Sequence, residues 1–230
     1  MENKECYRHE NKYEINRVQY LQLKSHVKAI MKPDRNSLAE GYYKVQSIYF
    51  DNIYDKTVQE KVSGISKREK FRIRYYNDNF SYIVLEKKMK NNNLCKKLSV
   101  RITEEECRNI LNGYIGFMAE HKAELVRELY RKMTYDLLRP RVLVSYVREA
   151  YTFTAGNVRV TFDYQIRTSL FHRTFLEDDI TDISATETLD TMILEVKYDE
   201  FLPEIIQNIL QVGDIRQQAF SKYVAARRFG

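Results

Sequence analysis

Lys70, Arg72 and Arg74 occupy alternate positions in Lys70-Phe71-Arg72-Ile73-Arg74-Tyr75-Tyr76. On a strand that spacing sets the three cations on one face and Phe71, Ile73 and Tyr75 on the other. Like charges side by side repel, so the row calls for solvent or for an anion laid along it. Arginine suits phosphate through its two-pronged guanidinium, and lysine adds a point charge. A second pattern is Glu-x-Lys, found at Glu10–Lys12, Glu86–Lys88 and Glu195–Lys197. Carboxylates among cations are placed to hold a divalent metal such as Mg²⁺ or Mn²⁺, which takes oxygen ligands and bridges phosphates. No histidine or cysteine arrangement competes with this chemistry. His9, His26, His121 and His172 are scattered and read as surface or packing residues. Cys6, Cys95 and Cys107 lack metal-ligand spacing and form no disulfide framework.

Strands must carry these rows. Tyr7 to Tyr13 reads as a short strand, and Asn16 caps a helix that ends before Pro33. Tyr43 to Phe50 is a strand, Asp51 to Asp55 a turn, and Lys56 to Ser63 fits no single element. Lys70–Tyr76 and Ser81–Met89 form two strands joined at Asn77-Asp78-Asn79, and Cys95 to Ile102 returns as a third. Thr103-Glu104-Glu105-Glu106 is a capping box for a helix ending at Gly113. Met118 to Leu138 reads as one longer helix, with Leu125, Leu129 and Met133 toward the core. Val142–Tyr151, Asn157–Asp163 and Met192–Tyr198 are strands, and Ile180 to Leu189 is an acidic loop. Pro203 opens a short helix, and Ile215 to Arg228 is expected to be the last one. The count favours an antiparallel, β-rich α+β fold, with residues 1–230 as one domain.

An ordinary two-layer sheet would set each polar face in water. It explains less well why those faces carry mainly arginine and lysine. Closing the strands into a β-barrel gives another solution, because interior and exterior positions alternate along every strand. The charged rows would then line a cationic tunnel, and the apolar rows would pack against helices outside. Unpaired buried cations are costly, so such a lumen must hold water and counter-ions, or a polyanion. Arg159 with Asp163 could equally form a structural pair along one strand.

Composition narrows the partner. Charged residues make up 30% of the chain and the net charge is +6, while Gly and Pro number only 7 and 3. That is an ordered composition with a bias toward anionic partners. Nucleic acid ranks last among those, because the charges lie in short alternating rows and not in clusters or tails. No run approaches the ~18–20 apolar residues of a membrane span, and the polar N-terminus gives no signal peptide. A reduced, cytoplasmic chain is expected, and any membrane association would come through a partner.

In order along the chain stand Arg8-His9-Glu10-Asn11-Lys12-Tyr13, Ser47-Ile48-Tyr49-Phe50-Asp51, Lys70-Phe71-Arg72-Ile73-Arg74 and Leu85-Glu86-Lys87-Lys88. They are followed by Tyr146-Val147-Arg148-Glu149-Ala150-Tyr151, Arg159-Val160-Thr161-Phe162-Asp163, Leu194-Glu195-Val196-Lys197 and Phe220-Ser221-Lys222-Tyr223. The set resembles the VTC domain, the polyphosphate polymerase domain of the vacuolar transporter chaperone complex, in its free-standing bacterial form. That family sits among the triphosphate tunnel metalloenzymes, the CYTH-like superfamily. The resemblance implies a barrel whose tunnel binds triphosphate, where ATP donates its γ-phosphoryl group to inorganic polyphosphate with Mn²⁺ or Mg²⁺. It implies phosphate binding by Lys12, Arg72, Arg74, Lys88, Lys96, Arg148, Arg159 and Lys222, with Lys97 the alternative to Lys96. Of these, Arg72, Arg74, Lys88, Arg148 and Arg159 would serve the transfer itself. Glu195 matches the metal-binding glutamate, and Glu10 would assist it. Lys87 is expected to point away from the tunnel.

Two positions depart from the pattern. Arg8 replaces the first glutamate of the superfamily's Glu-x-Glu-x-Lys, a shift typical of the VTC branch. Ala219 stands where the eukaryotic polymerase has a lysine, and Arg216 is the candidate to supply that contact. The other readings are a tripolyphosphate or nucleoside-triphosphate hydrolase on the same tunnel, and a non-catalytic polyphosphate-binding module.

Overall fold

Alternation of apolar and charged residues governs most of the chain. It forms β1 (Arg8–Ile15), β3 (Tyr42–Asp51), β4 (Lys67–Tyr76), β5 (Asn79–Asn91) and β6 (Leu94–Ile102). The second half adds β7 (Arg139–Phe153), β8 (Val158–Ser169) and β10 (Met192–Tyr198). Two-residue strands β2 (Lys32–Pro33) and β9 (Ile183–Ser184) attach to β7 and β8. The structure, a computed structural model, describes residues 7–92, 94–169, 175–177, 183–186 and 190–229. Cys6, His172 and most of the acidic 180–189 segment lie outside these residues.

All pairings are antiparallel, and the order runs β7-β3-β4-β5-β6-β1-β10-β8, after which β8 pairs with β7 again. The sheet thus closes on itself as a ring of eight strands. The joints are unequal. β1 pairs with β10 from His9–Tyr198 to Ile15–Met192, whereas β1 meets β6 only at Arg8–Cys95 and His9–Leu94. The β4–β5 hairpin turns through Asn77 and Asp78, both at positive φ (52° and 54°). This is the primed geometry that matches strand twist, and Asn and Asp tolerate it.

Six α-helices accompany the sheet among the described residues. α1 (Arg17–Ile30) starts at the Asn16–Gln19 capping box, and α2 (Lys56–Val62) fills the segment whose sequence fits no single element. α3 (Glu104–Asn112) carries the expected Thr103–Glu106 box and stops at Gly113, whose φ of 83° suits glycine. The single helix expected from Met118 to Leu138 is broken into a 3₁₀ turn (Gly116–Glu120) and α4 (Glu124–Tyr135). His121 causes the break. Its Nδ1 accepts from the Ala123 amide and its carbonyl accepts from the Arg127 guanidinium. Both backbone groups are thereby diverted from a continuous helix. α5 (Glu204–Ile209) follows Pro203 as expected.

The last helix is shorter than expected. α6 spans Lys222–Phe229, because residues before it bond to β1 instead: the Gln218 amide donates to the Lys12 carbonyl (2.8 Å). α3 and α4 cover the outer faces of β4 and β5, burying Phe71, Ile73, Tyr75, Ile83 and Leu85 against Cys107, Leu125, Leu129 and Met133. α1 and α5 cover β8 and β10. α1 is also tied down by buried Glu149, which accepts from Tyr20 (2.5 Å), Lys24 (2.9 Å) and Tyr151 (3.2 Å).

One expectation about faces is corrected. Apolar rows were expected only on the outside, yet register places Val45, Tyr49, Val142, Val144 and Tyr146 on the inner face. They pack with Tyr223 and Ala226 of α6. α6 therefore fills part of the ring's interior and presents Lys222 to the remainder.

Candidate functional site

Inside the ring lies a cavity of about 1010 Å³. Cross-strand register assembles its walls. Lys12 faces Glu195, Glu195 faces Thr161, Lys197 faces Arg159, Arg148 faces Asp163, and Arg72 faces Glu86. Directly opposed residues share a face, so these charges converge on one space. Lys12, Arg72, Arg74, Lys88, Lys96, Arg148, Arg159, Lys222, Glu10 and Glu195 all line it. Of the lysine pair on β6, register puts Lys97 opposite inward-facing Lys88, and Lys97 bonds Glu86 at 2.7 Å. Lys96 also lines the cavity. Lys87 points outward, to Glu69 (2.7 Å) and Glu128.

Buried carboxylates hold the cations in place. Asp163 is inaccessible to solvent, accepts two bonds from Arg148 (2.6 and 2.7 Å), and pairs with Lys222 at 2.5 Å. Glu86 takes Arg72 at 2.6 Å and Lys97 at 2.7 Å. Glu10 and Glu195 share the Lys12 ammonium at 2.9 and 3.3 Å, Glu10 also binds Lys88, and Glu195 binds Lys197 at 2.7 Å. The alternative Arg159–Asp163 pair is not formed. Four residues along a strand span roughly 13 Å, and Arg159 turns instead to Asp34 (3.1 Å) and the Tyr43 hydroxyl (2.9 Å).

Arg74 differs from its neighbours. Its Nε donates to Ser47 (2.9 Å) and its Nη2 to the Tyr146 hydroxyl (2.9 Å), both neutral, and its carboxylate contact, Glu86, is at 3.9 Å. The Tyr146 ring lies beside three cations: Lys222 at 4.8 Å, Arg148 at 5.2 Å and Arg74 at 5.9 Å. Cations are attracted to such a ring face. Tyr146, Ser47 and Asp163 are not among the candidate site residues read from sequence, and Glu86 enters there only through its Glu-x-Lys spacing. Asp163 could have been, since it alternates in phase with Arg159. Tyr146 could not, because nothing in its spacing distinguishes it from the chain's other tyrosines. His9, expected at the surface or in packing, lines the cavity and stacks on Tyr198 at 5.0 Å.

A second cavity of about 510 Å³ adjoins the first, with Glu10, Lys12, Lys70 and Lys88 lining both. Lys61, Arg68 and Lys90 lie there together with Ala219. Arg216, the candidate to replace the lysine missing at Ala219, is exposed and lines neither cavity.

Burial raises the pKa of each interior carboxylate, but the cations outweigh it. Glu10, Glu86 and Glu195 are held well below the ordinary 4.5. The cations responsible are chiefly Lys12 and Lys88 for Glu10, Arg72 and Arg74 for Glu86, and Lys197 and Lys12 for Glu195. The sign follows from linkage. A depressed carboxylate contributes stability that is fully present above its unfolded value and is lost as pH falls through the folded one. Urea midpoints should therefore hold from pH 7 to about 5 and fall steeply below 4.5. A flat profile to pH 3 would show that these pairs add nothing to folding.

The carboxylates of Glu10 and Glu195 converge on one ammonium, so their oxygens lie within reach of one cation. Among the described residues no cluster of three His, Cys, Asp or Glu side chains adds to them. Paired carboxylates are the donor chemistry that Mg²⁺ or Mn²⁺ takes, and here their four oxygens are bonded to Lys12, Lys88 and Lys197.

These features define an α+β protein whose closed antiparallel sheet encloses a cavity lined mainly by arginine and lysine. The chain belongs to the VTC domain family, whose model matches residues 7–229. No curated protein sequence matches it. Among solved structures, it is similar to a Bacillus halodurans protein provisionally named an adenylate cyclase. The TM-score is 0.52 at 11% identity, over 91% of this chain and 88% of that one. The PH1819 protein of Pyrococcus horikoshii OT3 is similar at TM-score 0.49 and 14% identity, over 97% of this chain and all of that one. At such identities the likeness to the B. halodurans protein concerns the fold alone. Among the described residues no helix is long and apolar enough to cross a membrane.

Proposed function

We propose that the cavity is a tunnel in which the γ-phosphoryl group of ATP is transferred to a growing inorganic polyphosphate chain. The observation that carries this reading is the convergence of cations from β1, β4, β5, β7, β8 and α6 on one enclosed space. Family membership supports it.

Phosphoryl transfer asks a protein for positioning and charge neutralisation more than for covalent chemistry. A terminal oxygen of the polyphosphate attacks the γ-phosphorus. A new P–O bond forms, the bond to the bridging β–γ oxygen breaks, and ADP leaves with that oxygen. The attacking oxygen is already ionised, so no strong general base is needed. Arg74, Arg148, Arg159 and Lys222 face the three phosphates and offset the charge on the transferring group. Arg148 is held rigid by its two bonds to Asp163, which removes the need to order it during reaction. Glu10 and Glu195 would hold a divalent metal, which supplies neutralisation of the phosphate oxygens.

The test is incubation with ATP and Mn²⁺, followed by electrophoresis with polyphosphate staining. Polymer with matching ADP is expected, and Glu195→Gln should abolish it while keeping the folded spectrum. ADP and free phosphate without polymer would replace this reading with the hydrolase. No turnover, with metal-independent polyphosphate binding, would leave a binding module.

A further inference from the structure

Among the described cations that line the first cavity, Lys70 is the one for which the pairing scheme gives neither an ion pair nor a hydrogen bond. It lies on β4 between Arg68, at the second cavity, and Arg72, at the first, and it lines both. Lys12 and Lys88 also line both, but each is matched to a carboxylate. Lys70 makes no ion pair or hydrogen bond to any described residue. Its contact is the Tyr49 ring, 5.4 Å from the ammonium, and its cross-strand neighbour is another cation, Lys88. An ammonium so placed lines the space between the cavities with no carboxylate bonded to it.

We propose that Lys70 binds the phosphate chain at the passage between the two cavities, so that a polyanion reaching beyond the first cavity is gripped there. The proposal rests on the polyanion reading of the tunnel. The charged or titratable groups around Lys70 are Tyr49 of β3, Lys88 of β5, Glu10 and Lys12 of β1, Arg72 of its own strand, and Lys61 of α2 across the second cavity. Burial draws the Lys70 ammonium down. Tyr49 opposes this, Lys88, Lys12 and Arg72 add to it, and the balance leaves it at about 7. A phosphate arriving beside it favours the protonated form, so binding takes up a proton above neutral pH.

A longer inorganic polyphosphate is the probe, with tripolyphosphate as the short control, titrated by calorimetry into metal-free wild type, Lys70→Met and Lys70→Arg. Loss of a charged hydrogen bond should weaken Lys70→Met by about tenfold to a hundredfold. Lys70→Arg should bind nearly as wild type at pH 6, and its affinity should fall less from pH 6 to 8.5, since guanidinium does not titrate there. The phosphate's own titration is common to both proteins and cancels in that comparison. Without ligand, Lys70→Met should melt slightly higher than wild type, because a half-buried ammonium with no carboxylate partner has been removed. Wild-type binding with unaltered Lys70→Met affinity overturns the role of Lys70 alone. Failure of wild type to bind either polyphosphate overturns the tunnel reading itself. If Lys70→Met fails to fold, the pH profile of Lys70→Arg decides, and a slope equal to wild type overturns the proton uptake.

Discussion

Replacing Asp163 by asparagine should cost about 3–5 kcal/mol of folding stability, the usual consequence of leaving buried partners uncompensated. Asp163 is wholly inaccessible and lies between the Arg148 guanidinium and the Lys222 ammonium. Asparagine keeps the shape but not the charge, and its amide group presents donors where Arg148 also donates. Two strands and α6 meet at this point, so the loss should be felt as global unfolding and not as a local change. Urea denaturation of wild type and Asp163→Asn measures it. Tripolyphosphate should restore part of the lost stability, because a bound anion supplies the charge that the aspartate supplied. A loss below about 1 kcal/mol would mean that Arg148 and Lys222 reach solvent once released.

Arg74→Met should lower phosphoryl transfer by about 10²–10³-fold, the scale seen when one preorganised charge-stabilising donor is removed. The argument lies in the contrast with Arg72. Arg72 is spent on Glu86, with both Nε and Nη2 at 2.6 Å. Removing it would damage the wall as well as the chemistry. Arg74 is oriented by two hydroxyls that do not neutralise it. Methionine there leaves Ser47 and Tyr146 short of a donor but strands no close carboxylate. Activity should therefore fall with little change in melting temperature, and kcat should fall more than KM rises. A variant with unchanged kcat would show that Arg74 does not meet the transferring group.

The charged rows were legible because strand alternation is a local rule. Once Arg72 and Arg74 are read as one face, Phe71, Ile73 and Tyr75 must be the other, and the outer core confirms it. Which cations would be free was not legible, because pairing depends on register between strands far apart in sequence. Arg148 meets Asp163 only because β7 pairs with β8 in one particular alignment. The break at His121 was equally hidden, since it arises from side-chain bonds that compete with the helix and not from a proline or glycine. The shortened α6 has the same kind of cause: the backbone at Gln218 finds a better partner in β1 than in a further helical turn.

The pairing of β1 with β10 also governs the order in which this molecule can be made. His9–Ile15 bond to Met192–Tyr198, so almost the whole chain must exist before the ring can shut. Bringing such distant segments together carries an entropic cost before any contact is gained, and topologies dominated by non-local pairing fold slowly. During synthesis the strands from β3 to β6 can assemble with α3 and α4, yet their row of like charges has no Glu195 and no Asp163 to face. The growing chain thus carries an open, largely cationic sheet until β10 emerges to face β1.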